Sequence, residues 1–322
     1  MPISDSRPTR RAALAALAAA GAACNRGHRR TIGVVPQGQT QVFWQSIHAG
    51  AIAAAQEAGV EMLWNAPPLE NDYSGEIKVL EAMINRRVDA IAIAPADRTA
   101  FVGPVERAVA AGIPVVIFDT GVDTEVFTAQ IATDNYGGGV MAAERVGSIL
   151  GGKGKIVILA VRPGIVSSVA RETGFAEAIK KFPGIRVLDM RFGMADFAVS
   201  LQVAENMLTA YPDLDAMFAS NETSTVGAVQ ALKGRKSSCR LVGFDWSPTL
   251  AEALQSGVAD SLVVQDPFRI GYDAVKAAVE KLNGGTPRKI QKLAPLLVTK
   301  DNLTDPAVHK QLNPDLQKYL GT

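Results

Sequence analysis

The stretch AAGIPVVIFDTG, residues 110–121, contains the pattern that decides the fold. A segment with helical periodicity ends at Gly112, the apolar run VVIF (115–118) follows, and Asp119 comes directly after that run. A glycine just past a helix is typical of a helix end. A short apolar run bounded by turn residues is typical of a buried strand. The stretch therefore predicts a helix–strand unit with a carboxylate at the end of the strand.

Similar units recur along the chain about every 25–30 residues. The predicted strands are short and apolar; they are 31–35, 60–64, 90–94, 115–118, 129–132, 155–161, 186–190, 216–219, 240–244 and 261–264. The predicted helices have helical spacing of apolar residues; they lie near 44–58, 75–87, 101–111, 136–150, 170–181, 198–210, 224–233, 248–256 and 268–283. Strands that alternate with helices form parallel sheets covered on both faces. The sequence therefore predicts an α/β fold with two doubly wound parallel-sheet lobes. The tail from about residue 300 is expected to be loop and short helix.

The composition is that of an ordinary globular protein and disfavours several classes of function. The chain has 322 residues, of which 48% are hydrophobic and 20% are charged, and its net charge is +1. This balance gives no indication of nucleic-acid binding. The three histidines and two cysteines are scattered, so the sequence predicts no metal site and no cofactor. The length suggests about two domains.

The first 30 residues differ from the rest of the chain. A basic start precedes a run of small apolar residues over 12–23, which is too short to span a bilayer and fits the core of a signal peptide. Two adjacent arginines before it permit twin-arginine export. The run ends at GAAC, which resembles a bacterial lipoprotein cleavage site with Cys24 as the lipidated residue. We therefore predict a signal peptide over 1–23 and a linker over 24–30; the alternative is an Ala-rich disordered N-terminus.

Export implies a periplasmic or extracytoplasmic location, with membrane contact only through a lipid on Cys24. No later stretch approaches 18 apolar residues, so no transmembrane segment is expected. A lipidated Cys24 would leave Cys239 without a partner, and no disulfide is predicted.

The residues just after each predicted strand are the candidates for a binding site, because ligands of open α/β sheets bind beyond the carboxyl ends of the strands. These candidates are Gln41, Phe43, Trp44, Pro95, Ala96, Asp97, Asp119, Thr120, Val166, Ser167, Arg171, Asn221, Glu222, Asp245, Trp246 and Gln265. Planar hydrogen-bonding groups and aromatic rings predominate among them. Carboxylates accept from vicinal hydroxyls, Arg and Asn donate, and an aromatic face covers the C–H face of a sugar ring. The set favours a polyhydroxylated ligand.

Eight short motifs occur in a particular order between about residues 31 and 300. They are VFWQSIHAGAIAAAQEAG (42–59), AIAIAPAD (90–97), AAGIPVVIFDTG (110–121), ATDNYGGG (132–139), ARETGFAEAI (170–179), YPDLDAMFASNE (211–222), LVGFDWSP (241–248) and VVQDP (263–267). In this order the motifs resemble those of the periplasmic sugar-binding proteins of ABC importers, of the ribose-binding type. That family is related to the effector domains of lactose-repressor-like regulators.

The resemblance implies a type I periplasmic-binding-protein-like fold, in which the chain crosses between the lobes three times. Lobe one would comprise 31–132 plus 266–296. Lobe two would comprise 133–265 plus 297–303, with a tail over 304–322. The implied function is to capture a small neutral sugar or polyol between the lobes, as a monomer, and to deliver it to an ABC permease.

The resemblance also implies roles for particular residues. Positions that match ligand-binding positions of the family are Gln41, Phe43, Trp44, Asp119, Arg171, Asn221, Asp245 and Gln265. Thr120 departs from the pattern, because ribose binders typically have Arg there; a donor is lost and space is gained. Phe197 either stacks on the ligand or packs in the core.

Adjacent Phe43 and Trp44 are expected to form one wall of the cleft. With a helix that starts at Trp44, Phe43 would project from the preceding loop. Trp246, or less surely Phe197, would cover the opposite face of the ligand. The sequence thus predicts an aromatic sandwich; the alternative is that these aromatics belong to the core.

Three alternative functions make different demands on the sequence. Asp119 and Asp245 could mimic a glycosidase pair, but no G-x-S-x-G or H-E-x-x-H motif and no usable histidine is found, so no enzyme is predicted. A repressor would begin with a basic helix-turn-helix, whereas here the first lobe is predicted to start at residue 31. A binding protein that presents its ligand to a chemoreceptor or sensor kinase remains an open alternative. GSILGGKGK (147–155) nearly fits a phosphate-binding loop but is interpreted as a helix-stop turn.

Overall fold

The computed structural model describes residues 29–321, and residues 31–321 form one compact unit. The strands are β1 (Thr31–Val35), β2 (Glu61–Trp64), β3 (Ala90–Ile93), β4 (Val115–Phe118), β5 (Ala129–Thr133), β6 (Lys153–Ala160), β7 (Gly184–Phe192), β8 (Ala216–Ala219), β9 (Arg240–Phe244), β10 (Ser261–Val264), β11 (Ile290–Leu293) and β12 (Leu296–Val298). The helices are α1 (Val42–Ala58), α2 (Tyr73–Asn85), α3 (Val102–Ala110), α4 (Asn135–Ile149), α5 (Val166–Ala178), α6 (Phe197–Ala210), α7 (Glu222–Arg235), α8 (Pro248–Ser256), α9 (Pro267–Leu282), α10 (Pro306–Leu312) and α11 (Leu316–Leu320). The predicted signal peptide and Cys24 lie outside the described residues.

The strands form two six-stranded sheets. Their orders are β11-β5-β4-β3-β1-β2 and β12-β10-β9-β8-β6-β7. The first sheet with its helices is called the first lobe, and the second sheet with its helices the second lobe. Strands such as β3, β4, β8 and β10 are buried at every residue, since helices cover both sheet faces. The predicted α/β class with two doubly wound lobes is confirmed.

The strands β11 and β12 were not predicted, and β12 is the one strand of the described sheets that runs antiparallel to its neighbour. Only Ala294 and Pro295 separate β11 from β12. Leu296 at the start of β12 pairs with Val264 at the end of β10, and Val298 pairs with Leu262. The chain therefore enters the second sheet from the carboxyl end of β10 and runs back along it.

The chain passes between the sheets three times: after β5, after β10, and between β11 and β12. The tail spans both lobes beside these crossings. Val308 and Leu312 belong to the second-lobe core, while the Tyr319 ring lies 5.7 Å from that of Phe268 at the start of first-lobe helix α9. The Gln311 amide donates to the Gln265 carbonyl at 3.2 Å. The tail, expected as loop and short helix, thus contains two short helices across the hinge region.

Glycines allow close helix contacts in both lobes. A Cβ on Gly50 would lie 1.9 Å from the Phe268 carbonyl oxygen, so only glycine permits this approach of α1 to α9. A Cβ on Gly139 would lie 1.9 Å from the Arg171 carbonyl oxygen, in the equivalent contact of α4 with α5. The second contact places α5, and with it Arg171, close to the start of α4.

Within residues 29–321, no helix combines the length and the apolar character needed to cross a bilayer. Cys239 is buried and carries a free thiol.

Candidate functional site

A cleft lies between the carboxyl ends of the strands of the two lobes, and the cavity it encloses has a volume of about 40 Å³. Its lining residues come from both lobes and from the hinge; they are Gln37, Gln41, Phe43, Trp44, Glu70, Asp119, Val161, Ile165, Ser167, Ser168, Arg171, Asn221, Glu222, Thr223, Asp245 and Gln265. The structure therefore brings together most of the candidate residues predicted from the sequence. Those that do not line the cleft are Thr120, Phe197 and Trp246, and also Pro95, Ala96, Asp97 and Val166. A larger groove near Lys233 and Arg240 lies elsewhere on the second lobe and contains none of these candidates.

Asp119 and Asp245 occupy equivalent places in the two lobes. Each directly follows a central strand, and each has a left-handed backbone, with φ of 63° and 71° respectively. The backbone N–H of each still donates at 2.9 Å to the neighbouring strand, at Ile131 and Val263. Left-handed residues other than glycine are uncommon and cluster at functional sites, although Asp tolerates this conformation better than most. The kink directs one carboxylate from each lobe into the cleft.

Asp245 is held by a chain of hydrogen bonds from the hinge. The Thr133 hydroxyl donates to Gln265 Oε1 at 2.6 Å, and Gln265 Nε2 donates to Asp245 Oδ1 at 2.7 Å. The Glu222 backbone N–H donates to Asp245 Oδ2 at 2.9 Å, and Arg171 Nη1 lies 3.9 Å from the same oxygen. The orientation of this carboxylate is therefore tied to two of the crossings between the lobes.

Arg171 is 3% exposed and fixed on several sides. Its Nε donates to Asn135 Oδ1 at 2.7 Å, and its Nη1 donates to the Ser220 carbonyl at 2.9 Å. The guanidinium carbon lies 3.9 Å from the centroid of the Phe244 ring. The position of this cation is thus fixed by contacts within the protein.

Helix α1 begins at Val42, two residues earlier than the sequence predicted. Gln41 is its N-cap but forms no side-chain capping bond, so the usual sequence cue for a helix start is absent. Phe43 and Trp44 therefore both lie in the first turn, with ring centroids 5.0 Å apart and planes at 82°. Both line the cleft, and Trp44, at 2% exposed, also packs in the first-lobe core.

Trp246 and Thr120 lie outside the cleft for the same reason, which corrects their expected position. Each follows a left-handed aspartate, so when the aspartate faces the cleft the next side chain turns away from it. Trp246 packs against the second-lobe core and beside Leu312 of the tail. Thr120 is buried, and its hydroxyl has no hydrogen-bond partner among the described residues. The expected sandwich with Trp246 is absent from this structure.

Phe197 is 45% exposed and does not line the cleft. It is the first residue of α6, whose N-cap Asp196 accepts from the Val199 N–H at 2.9 Å. This helix follows β7, the edge strand of the second sheet, which places Phe197 away from the central strands.

Several lining residues were missed or not selected from the sequence. Gln37 is buried two residues after β1 and donates to the Pro95 carbonyl at 3.3 Å. Glu70 lies in the long loop between β2 and α2, and its Oε1 accepts from the Trp44 indole N–H at 2.5 Å. Glu70 was not predicted, because it lies too far along the chain from the end of β2 to count as a residue that directly follows a strand. Glu222 was noticed as such a residue but was not chosen.

Burial alters the titration of the cleft carboxylates. Burial raises the pKa of Asp119 to about 7, against the favourable charge of Arg171, and the negative charges of Asp245 and Glu70 raise it further. Burial likewise raises the pKa of Glu70 to about 7, although the bond from Trp44 opposes this. The pKa of Glu222 is raised to about 8, mainly by burial and then by the charges of Asp245 and Glu70. Burial also raises the pKa of Asp245.

Arg162 connects the lobes directly at the edge of the cleft. It follows β6 in the second lobe and is 1% exposed. Its Nη1 donates to the Tyr73 hydroxyl, its Nη2 donates to the Ala96 carbonyl at 3.0 Å, and its guanidinium lies 4.4 Å from the Tyr73 ring centroid. A cation of one lobe is therefore bonded to carbonyl and hydroxyl groups of the other.

Comparisons with known proteins agree with this architecture. Residues 32–286 match the family described as "Periplasmic binding protein domain". The chain is 30% identical over 270 residues to the ribose import binding protein RbsB of Bacillus subtilis, covering 83% of this chain and 86% of the relative. It is 29% identical to the D-allose-binding periplasmic protein of Escherichia coli, covering 76% and 81% of the two chains.

Solved structures give the same result. A carbohydrate transporter solute-binding protein from Agrobacterium radiobacter, in complex with D-arabinose, has a TM-score of 0.86 and 31% identity, covering 89% of this chain and all of that one. An ABC transporter solute-binding protein from Agrobacterium vitis, bound to α-D-tagatopyranose, has a TM-score of 0.85 and 31% identity over 88% of this chain and 99% of that one. This chain belongs to the periplasmic binding protein family.

Proposed function

We propose that this chain is an exported solute-binding protein that captures a small sugar or polyol between its two lobes and delivers it to an ABC importer. The relatives named above include ribose and allose binders, and the related structures hold D-arabinose and tagatopyranose. The observation that carries the proposal is the pair of left-handed aspartates, one from each lobe, in a single cleft. A ligand that bonds to both carboxylates holds the two lobes together.

The cleft offers the groups that a polyhydroxylated ligand requires. Asp119 and Asp245 accept from hydroxyls, and Arg171 and Asn221 can donate. Asn221 Oδ1 already accepts from the Ser224 N–H at 2.9 Å, which leaves its amide nitrogen as the donor. Phe43 and Trp44 supply an apolar wall for the C–H face of a ring.

Ligand binding selects the arrangement in which the lobes are close together. A ligand shifts such an equilibrium only by its difference in affinity between the open and closed states. Contacts to Asp119 in one lobe and to Arg171 and Asp245 in the other exist together only when the cleft is closed. The bonds from Arg162 to Tyr73 and Ala96 add a contribution to closure that comes from the protein itself.

We also propose a periplasmic location, a permease as the partner, and action as a monomer without bond cleavage. The predicted signal peptide over 1–23 supports export, and Cys24 is the proposed lipid attachment site. The proposed lobes are 31–132 plus 266–296 and 133–265 plus 297–303. The absence of bond cleavage is supported by the bonding of Asp245, one member of the pair that could mimic a glycosidase, which already accepts from Gln265 and from the Glu222 N–H.

A thermal-shift screen over pentoses, hexoses and polyols tests this function. A bound ligand raises the melting temperature by mass action, and calorimetry then measures its affinity. Small-angle scattering should report a smaller radius of gyration with the stabilising ligand. Stabilisation by amino acids alone, or by sugar phosphates alone, would overturn the proposal, and so would steady release of aglycone from aryl glycosides.

A further inference from the structure

The cleft carries more negative than positive side chains. Two carboxylates from each lobe line it, Glu70 and Asp119 from the first and Glu222 and Asp245 from the second. Among the described residues that line the cleft, Arg171 is the only cation. The nearby Arg162 is bonded instead to Tyr73 and to carbonyls of the first lobe.

The cleft carboxylates differ in the hydrogen bonds that they accept. Asp245 accepts from Gln265 and from a backbone N–H, and Glu70 accepts from Trp44. Glu222 accepts a hydrogen bond from the Phe43 backbone N–H, but its Oε2 is buried and has no hydrogen-bond partner within residues 29–321. A buried carboxylate oxygen without a donor is costly. Glu222 Oε2 therefore needs a second donor, preferably one that carries a positive charge.

A metal ion does not fit this need, because the described residues contain no group of three or more His, Cys, Asp or Glu side chains placed to hold one. A hydroxyl group supplies one proton and no charge. A protonated amine supplies up to three donors and a charge, and charge-assisted hydrogen bonds are about twice as strong as neutral ones. Building on the sugar-binding function proposed above, we propose that the preferred ligand is a polyhydroxylated compound that carries a protonated amine, which binds between Glu222 and Glu70.

The titration of these groups agrees with this geometry. Burial raises the pKa of Glu222 to about 8 and that of Glu70 to about 7. The negative charge of Asp245 raises both pKa values and that of Glu70 raises the pKa of Glu222 further, whereas Arg162 and Arg171 stabilise the charged form of Glu70. A bound ammonium group would lower the pKa values, because an opposite charge favours the ionised carboxylate. Binding of the amine should therefore release protons near neutral pH.

The experiment compares matched ligands by titration calorimetry. Each set contains a neutral sugar, its amino-deoxy analogue and the corresponding N-acetyl compound; glucose and galactose sets and 1-amino-1-deoxy polyols with their parent polyols are the probes. We expect at least one amine to bind tenfold or more tightly than its neutral parent. The N-acetyl compound, which lacks the charge, should lose that advantage. Two buffers of different ionisation enthalpy should reveal proton release for the amine and not for the neutral parent.

Variants locate the effect. Glu222→Gln keeps the shape and removes the charge, and it should reduce the preference for the amine to threefold or less, as should Glu70→Gln to a smaller extent. Glu144→Gln, at an exposed site that pairs with Lys181, is the matched control and should keep the full preference.

If the neutral parents bind as tightly as the amines in the wild type, or if both cleft variants retain the preference, the inference is overturned while the sugar-binding function stands. If neither neutral nor amine-bearing compounds bind, both proposals fail.

Discussion

Asp119 and Asp245 hold the same place in two copies of one architecture, yet their surroundings differ. Asp245 receives hydrogen bonds from Gln265 and from the Glu222 N–H, and Arg171 lies 3.9 Å away. Asp119 interacts electrostatically with Arg171, but Asp245 and Glu70 repel it and burial raises its pKa to about 7. Asp245 is therefore bonded in advance, whereas Asp119 is held at an electrostatic cost.

This difference indicates that the two lobes contribute differently to ligand binding. A preorganised half loses little freedom on binding, because its groups already point in the required directions. The second lobe is expected to define the orientation of the ligand. Asp119 and the aromatic pair of the first lobe complete the contacts when the lobes close.

Among the proposed variants, removal of Arg171 should have the largest effect on sugar affinity. Arg171→Ala leaves both aspartates without their shared cation, and loss of one partner from a buried charge pair costs about 2–5 kcal/mol. We expect sugar affinity to fall by about 2–4 kcal/mol in calorimetry. Arg191→Ala, in the same lobe and paired with Asp189 outside the cleft, is the control and should leave affinity unchanged. A change of less than twofold for Arg171→Ala would exclude this residue from the site.

Neutralising the two aspartates one at a time should change the free energy of unfolding in different ways. Asp245→Asn replaces an acceptor that serves two donors, so the free energy of unfolding without ligand should fall by about 1–3 kcal/mol. Asp119→Asn removes a repelled, buried charge, so the ligand-free protein should be as stable as the wild type or more stable. Both variants should bind sugar more weakly. Urea unfolding measures the free energy of unfolding of each variant. Equal decreases in the two variants would contradict the proposed difference between Asp245 and Asp119.

The pH dependence of stability should reflect the excess of carboxylates. In the folded protein the pKa of Asp119 and Glu70 is about 7 and that of Glu222 about 8, well above their ordinary values. The folded state therefore binds more protons than the unfolded state over this range, and the free energy of unfolding falls as pH rises from 6.5 to 8.5.

This window is chosen because burial lowers the pKa of His48 to about 4, which acts in the opposite direction below pH 6.5. Melting temperatures without ligand should decline across the window, and Glu222→Gln should decline less than the wild type. A flat or rising profile in the wild type would show that the carboxylates are not destabilised as described.

The smallest test uses Trp44 and Trp246, two of the three tryptophans. Trp44→Phe removes a ring that lines the cleft and its bond to Glu70, and should weaken binding by about 1 kcal/mol. Trp246→Phe should change affinity by less than twofold, because that side chain packs at the hinge. The change in intrinsic fluorescence on adding sugar should disappear in Trp44→Phe and persist in Trp246→Phe. The reverse result would restore Trp246 as a wall of the cleft.

Much of the site could be predicted from residues that directly follow strands. Asp119, Asn221, Asp245 and Gln265 were identified in this way, and all of them line the cleft. Arg171 lies within α5, and its role was indicated by the family resemblance. Glu70 was not predicted as a site residue, because a loop of several residues brings it back to Trp44. The path of a loop cannot be read from the periodicity of apolar residues. Arg162 escaped because its partners Tyr73 and Ala96 belong to the other lobe.

By itself the sequence determined the α/β class, the two lobes and most of the polar residues of the cleft, because strand and helix periods and post-strand positions are local properties. Only the tertiary structure decided which neighbours of those residues face the ligand. Left-handed φ at Asp119 and Asp245 turns Thr120 and Trp246 away, and burial brings four carboxylates within reach of one another's charge. These outcomes depend on backbone angles and on distances between separate lobes, which no local pattern of residues contains.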